Sequence, residues 1–268
     1  MDSFVITISR QYPIKKCLDA IDRADIPRKE LRLLFLLDTQ DRELIKFCED
    51  WAEKTTWGKR IFYLTDKEPI EPKVFDGYQE KWDRIIENIK IIRNETKDSE
   101  IVFMVEDDTI IPPDAFKKLY NRIKADKKIG CIQGVEAVRS SINDCCCGAW
   151  LLKVIKGQVI RKLGLKAKRQ GIDQIDGGGY YCWVFRQEAI KNIIFRAKLE
   201  NGWCGPDVWT WWDIKQQGWK TLIDWSVWCG HMDKDGKIYT PENTRNWLYD
   251  FSSGDYLHPR MNFNYDIK

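Results

Sequence analysis

The sequence predicts an α/β fold: a mixed, mostly parallel sheet flanked by helices, followed by an irregular aromatic tail. Three observations carry that prediction. Through the first half of the chain, short apolar, β-branched runs alternate with segments whose apolar residues recur at helical spacing. One run, 101–105 (IVFMV), is apolar at every position, as expected of a central strand in a parallel sheet. The 268 residues, 43% hydrophobic and 32% charged, are enough to bury one large core.

Taken in order, residues 4–8 (FVITI) read as the first strand. Over 14–24, Ile14, Cys17, Leu18 and Ile21 share a helical face. The run 31–37 (LRLLFLL) is a buried strand that ends at Asp38. Leu44, Ile45, Phe47, Cys48 and Trp51 place a helix over 41–54, and 60–64 is a third strand. After a proline-containing loop, Trp82, Ile85, Ile86, Ile89 and Ile92 mark a longer helix that leads to the strand 101–105. Residues 113–125 read as a helix with Pro113 in its first turn. Gly-rich, strand-like pieces follow, with a basic stretch over 153–169 that holds seven Lys or Arg and no acid. Such a run is either a solvated loop or a contact for an anionic acceptor. Gly177-Gly178-Gly179 precede a strand (YYCWVF) and a helix near 187–194. A helix over 207–217, closed by Gly218, and a strand over 222–227 complete the order.

Composition narrows the function. With 44 basic and 41 acidic side chains the net charge is +3, too small for a global field that attracts nucleic acid. No apolar run has the length of a membrane span, and the first residues, MDSFVI, do not resemble a signal peptide. Nine cysteines without a CxxC pair, three of them adjacent at 145–147, read as reduced thiols of a cytoplasmic protein. A zinc site would need that triplet and a remote ligand, with only His231 and His258 as histidines. Of 13 Trp, eight fall within 203–247, forming either a bulky core or an aromatic wall for a flat ligand.

Three features carry chemistry. Glu106-Asp107-Asp108 directly follow the apolar strand, where three acids repel one another unless a cation or ligand donors sit there. A hard divalent ion that also holds substrate phosphates suits this place; an exposed acidic turn capping the next helix is the plainer alternative. Asp207, in WCGPDVW at a helix start, is either a general base in an aromatic surround or a cap, and taken alone it reads as a cap. His231 follows the last strand after Gly230 and alone would be a structural histidine.

Their order resembles nucleotide-sugar glycosyltransferases of the GT-A (Rossmann-like) fold, most closely the inverting family 2 type. ITISRQYPIKKCLDA (6–20) looks like that family's opening strand, turn and helix, and LLFLLDT (33–39) like its second strand. VFMVEDDTIIPPDAFKKL (102–119) resembles its DxD segment, with Glu106 and Asp108 in the two acidic places. GGGYYCWVFRQEAI (177–190) resembles the acceptor-side glycine turn and strand. WCGPDVWTWWDIKQQGWKTLIDWSVWCGH (203–231) is similar to the block with the catalytic acid, the Gly-aromatic-Lys end and the closing His. The resemblance spans roughly residues 3–232. Glu106 replaces the usual first Asp, Pro206 stands where an acid is frequent, and the loop after Leu37 lacks Asp-Gly-Ser.

The resemblance implies a metal-dependent inverting glycosyltransferase domain over 1–237, with a nucleotide-binding half (1–110), an acceptor half (111–237) and a packed tail (238–268). It implies that Asp108 and His231 hold Mn²⁺ or Mg²⁺ and that Asp207 is the catalytic base. Arg10, Asp38, Glu106 and Asp107 would then lie by the donor nucleotide, and Gly178, Gly179, Trp203 and Trp209 on the acceptor side. The implied donor is a nucleotide-diphosphate sugar, and the acceptor a glycan, lipid phosphate, protein or modified DNA. Two other classes remain: a metal-dependent phosphohydrolase or nucleotidyltransferase, which fits the acid cluster, and a non-catalytic sugar- or nucleic-acid-binding module, which would use the Trp cluster and the basic run with the carboxylates merely structural.

Overall fold

A computed structural model describes residues 1–8, 14–65, 77–137, 147–155, 158–165, 167–197 and 205–240. Its strands are β1 (Ser3–Ile8), β2 (Arg32–Leu37), β3 (Lys59–Leu64), β4 (Ile101–Glu106), β5 (Thr109–Ile110), β6 (Ile129–Glu136) and β7 (Ala149–Ile155). They continue as β8 (Gln158–Gly164), β9 (Ile172–Gln174), β10 (Gly177–Gly178), β11 (Cys182–Arg186), β12 (Lys220–Met232) and β13 (Ile238–Tyr239). The helices are α1 (Ile14–Arg23), α2 (Arg42–Lys54), α3 (Gly77–Glu95), α4 (Ala115–Ala125), α5 (Gln187–Ile190) and α6 (Pro206–Gln216).

The main sheet runs β13-β12-β6-β11-β4-β1-β2-β3, with β5 and β9 also paired to β12. β3, β2, β1 and β4 are parallel, β11 is antiparallel to both β4 and β6, and β6 and β12 are parallel. This is the expected α/β layer fold with a mixed, mostly parallel sheet. Side chains alternate between its faces. Phe4, Ile6, Phe35, Phe103 and Val105 pack on one face with Cys17, Leu18 and Ile21 of α1, Cys48 of α2 and Phe116 of α4. Val5, Leu34, Val102 and Met104 pack on the other with Ile86, Ile89 and Ile92 of α3 and Trp211 of α6. That is why 101–105 is apolar throughout: both faces of β4 are covered.

Three expectations change. Pro113 lies just outside α4, whose N-cap is Asp114. The last strand is longer than 222–227, because β12 continues to Met232 and pairs with β5 and β13. The basic stretch 153–169 is no loop over most of its length: β7 and β8 form an antiparallel hairpin, joined by β10 into a second sheet. The first two residues of the expected tail form β13, whereas 241–268 lie outside the described residues.

Candidate active site

Strand order reverses at β1, which pairs with β2 on one side and β4 on the other. In open α/β sheets ligands bind outside the strands' carboxyl ends at such a point. Asp38, Glu106 and Glu136 stand at the carboxyl ends of β2, β4 and β6.

Asp108 follows β4 through a tight turn and is 6% exposed. Its carbonyl accepts the Met232 N–H at 2.7 Å, and β5 pairs antiparallel with Gly230 and His231. This register brings His231 Nε2 to 3.5 Å from Asp108 Oδ2. Gly230 allows the close approach, since a Cβ there would lie 2.5 Å from Ile238 Cγ2. Along β12, the four residues between Ile223 and Trp228 stand against a single residue of β6 between Gln133 and Val135, and the shift sets Cys229 opposite Glu136. Glu136 is 4% exposed; Thr109 Oγ1 donates to its Oε1 at 3.0 Å, and His231 Nδ1 is 3.5 Å from its Oε2.

Ligand atoms of Asp108, Glu136 and His231 lie within 4.8 Å of one another. His231 Nδ1 stands 2.7 Å from the Ala137 carbonyl oxygen. A carbonyl can only accept, so Nδ1 carries a proton; in the neutral ring the lone pair is then on Nε2, the nitrogen facing Asp108. Two buried carboxylates this close repel unless a cation or a proton separates them. Two carboxylates and one imidazole nitrogen are a donor set that would suit a divalent ion.

Glu106 ends β4 half-buried, its N–H donating to the Tyr181 carbonyl at 3.0 Å. Asp107, expected beside the nucleotide, is 2% exposed and faces the α1/α2 side of the sheet. Burial, then the charges of Asp107 and Asp108, push the Cys17 thiol well above its ordinary value. Burial and Asp107 likewise raise Cys48, to about 12. Asp107 is therefore an interior acid and stands outside the metal-ligand group.

Asp38 is 3% exposed. Arg84 Nε donates to Oδ2 at 2.6 Å and Asn88 Nδ2 at 2.9 Å, while Arg84 Nη2 and the Thr65 hydroxyl donate to Oδ1. Burial alone would raise this carboxyl, but these hydrogen bonds, Arg84's foremost, outweigh it and hold the carboxyl below its ordinary value. A carboxylate has about four acceptor sites, and four donors fill them. Asp38 thus clamps the end of β2 to Thr65 after β3 and to α3.

Asp207 sits half-buried in the first turn of α6, behind Gly205 as N-cap and Pro206. Its Oδ1 lies over Gly205, 2.5 Å from where a Cβ would stand there, with Trp82 Nε1 3.6 Å from the same point. Tyr180 locks the helix end, its hydroxyl 3.0 Å from the Pro206 carbonyl and 2.7 Å from Thr210 Oγ1. Burial raises the Tyr180 phenol most, the Thr210 bond opposes, and the charges of Asp207 and Glu106 raise it further. Both acids therefore act on one buried ring.

Residues 3–234 match the family described as glycosyltransferase like family 2. The chain belongs to that family. Solved structures agree on the fold of this glycosyltransferase family 2-like domain. One is GalNAc-T7 with UDP, GalNAc and Mn²⁺, 11% identical, with a TM-score of 0.60, covering 87% of this chain and 44% of that one. Another is S. aureus TarS 1-349 in complex with UDP-GlcNAc, 12% identical, with a TM-score of 0.51, covering 89% and 58%. The domain thus matches about half the length of these proteins. A sequence comparison with curated proteins finds no match. The sheet is that of the GT-A fold.

Within the glycosyltransferase domain, Asp108 and His231 come together as the resemblance implied, and Glu136 joins them unannounced. An acid closing the strand-like 129–136 was the available signal, by the same rule that singled out Glu106. Gly178 and Gly179 are buried, and their need for glycine is one of packing. A Cβ on Gly178 would lie 2.2 Å from Gln133 Oε1 and 2.6 Å from the Trp211 ring. The Gly179 N–H donates to that same Gln133 oxygen at 2.9 Å. Trp209, 3% exposed, packs with Val208, Trp150 and Leu152, and the Arg196 guanidinium stands 4.7 Å from its ring centre. Of the tryptophans over 203–247, among the described residues, Trp209, Trp211 and Trp225 are buried core, and Trp212, Trp219 and Trp228 are half-buried. Arg10 and Trp203 lie outside the described residues.

Proposed function

We propose that this domain transfers a sugar from a nucleotide-diphosphate sugar to an acceptor hydroxyl, with inversion and with the help of Mn²⁺ or Mg²⁺. The observation that carries the reading is the grouping of Asp108, Glu136 and His231 beyond β4, at the end of β6 and in β12; Asp207 opens α6, and its charge and that of Glu106 both reach the buried Tyr180 ring. A bound divalent ion would neutralise the charge that develops on the departing diphosphate.

Asp108 and the Nε2 of His231 would hold that ion, and the Ala137 carbonyl, accepting from Nδ1, favours the imidazole tautomer that could do so. Glu106 faces the donor's ribose. Asp207 accepts the proton of the acceptor hydroxyl as its oxygen attacks the anomeric carbon opposite the leaving diphosphate. One displacement with one base inverts the anomeric centre. The helix N-terminus favours the ionised form of Asp207, and Tyr180 and Gly205 fix its position.

Among the described residues no helix is long and apolar enough to cross a membrane. Cys17, Cys48, Cys131, Cys147, Cys182 and Cys229 are free and buried, which supports a reducing, cytoplasmic setting. The acceptor class, whether glycan, lipid phosphate, protein or modified DNA, is read from a screen. Sugar nucleotides are incubated with the chain, Mn²⁺ and each acceptor class, and nucleoside diphosphate release is measured. Release that needs a sugar nucleotide and falls with EDTA is the expected result. No release and no metal-dependent nucleotide binding would leave a binding module in its place.

A further inference from the structure

We infer that Glu136 is a third protein ligand of the metal, so that the chain takes up its divalent ion before any nucleotide arrives. The inference rests on the metal site of the proposed glycosyltransferase reading and goes beyond it. A site with two protein ligands waits for the donor phosphates to complete its shell. A site with three, two of them carboxylates, has the charge and the count to hold a divalent ion with water alone.

Three features build Glu136 into the site. The register shift in β12 sets Cys229 opposite Glu136, so the carboxyl end of β6 lies beside the segment that carries His231. Thr109, the residue after Asp108, donates to Oε1 at 3.0 Å and leaves Oε2, 3.5 Å from His231 Nδ1, as the oxygen that can turn toward the ion, with the ligand atoms of all three residues within 4.8 Å of one another. Thr109 is fully buried and lies opposite His231 in the strand pairing, so one residue is tied to all three ligands. Carboxylates 6% and 4% exposed carry a large desolvation cost, which a shared cation offsets and solvent cannot. The Ala137 carbonyl, next along from Glu136, takes the Nδ1 proton and so turns the remaining imidazole nitrogen to the ion. The strand end of β6 thus supplies one ligand and orients another.

The test is calorimetric titration of Mn²⁺ into the full chain, without nucleotide and then with UDP, for wild type, Asp108→Asn, Glu136→Gln and Thr109→Val. Wild type is expected to bind one Mn²⁺ without UDP. Glu136→Gln is expected to weaken that binding by at least about tenfold, and Thr109→Val, which removes only the supporting hydroxyl, by up to about tenfold. Circular dichroism checks that the variants fold; if Glu136→Gln does not, Thr109→Val decides. Nucleotide-free affinity unchanged in both, but lost in Asp108→Asn, would remove Glu136 from the site and leave the glycosyltransferase reading standing. Wild type binding Mn²⁺ only with UDP would overturn the early uptake. Wild type binding none under either condition would sink the metal reading itself, and this inference with it.

Discussion

The Arg84 guanidinium engages both carboxylate oxygens of Asp38, joining the middle of α3 to the end of β2, with neither residue more than 9% exposed. The pair ties α3 to the carboxyl end of β2. Removing one partner of a buried pair strands the other's charge, which costs about 3–5 kcal/mol. Arg84→Met should therefore destabilise the chain by about that amount in urea unfolding at neutral pH.

The same pair sets a pH dependence. The Asp38 carboxyl is lowered in the folded chain, so its contribution is fully present above the ordinary aspartate value of about 3.9 and is lost as pH falls through the depressed folded value. The stability gap between wild type and Arg84→Met should narrow below about pH 4, where protonation removes the stranded charge. A gap that stays constant from pH 6 to pH 3 would assign the loss to packing.

Asp108→Asn keeps the side chain's shape and removes its charge beside His231 and Glu136. Metal-dependent binding of UDP or a sugar nucleotide should disappear, while any metal-free binding persists. Titration with and without EDTA reads this directly. Tight binding that survives both the substitution and the chelator would argue against Asp108 as a ligand.

Asp207→Asn should leave donor affinity near wild type and lower turnover by about 10²- to 10⁴-fold, the usual cost of a general base. The relevant measurements are nucleotide affinity and kcat on the same preparation. Equal losses in both would make Asp207 a helix cap. Full turnover would move the base elsewhere, although Asp213, one and a half turns along, is held by Arg196 at 2.5 and 2.8 Å.

Gly178→Ala tests the packing role given to this glycine. The added methyl would meet Gln133 and the Trp211 ring, and overpacking of this kind costs about 1–3 kcal/mol. A lower melting temperature with nucleotide binding intact is expected. Unchanged stability with impaired transfer would return Gly178 to the acceptor side.

The sequence by itself determined the layer fold, because strand and helix periodicities are local and the runs 4–8, 32–37 and 101–105 lie in parallel β-strands. It also picked out the acids that sit where a strand stops or a helix starts: Asp38, Glu106, Asp108 and Asp207. Only the tertiary structure decided which of these meet. Glu136 is 28 residues from Asp108 and 95 from His231 in the chain, and the pairing of β5, β6 and β12 alone brings them within one ion's reach. Whether a polar group is spare or spent was equally hidden, since Asp38 reads as a free strand-end acid until Arg84, Thr65 and Asn88 arrive from other elements. The tryptophans followed the same rule: composition fixed their number, but burial is a property of neighbours, and Trp209, Trp211 and Trp225 became core because helix α6 and strand β12 pack inward.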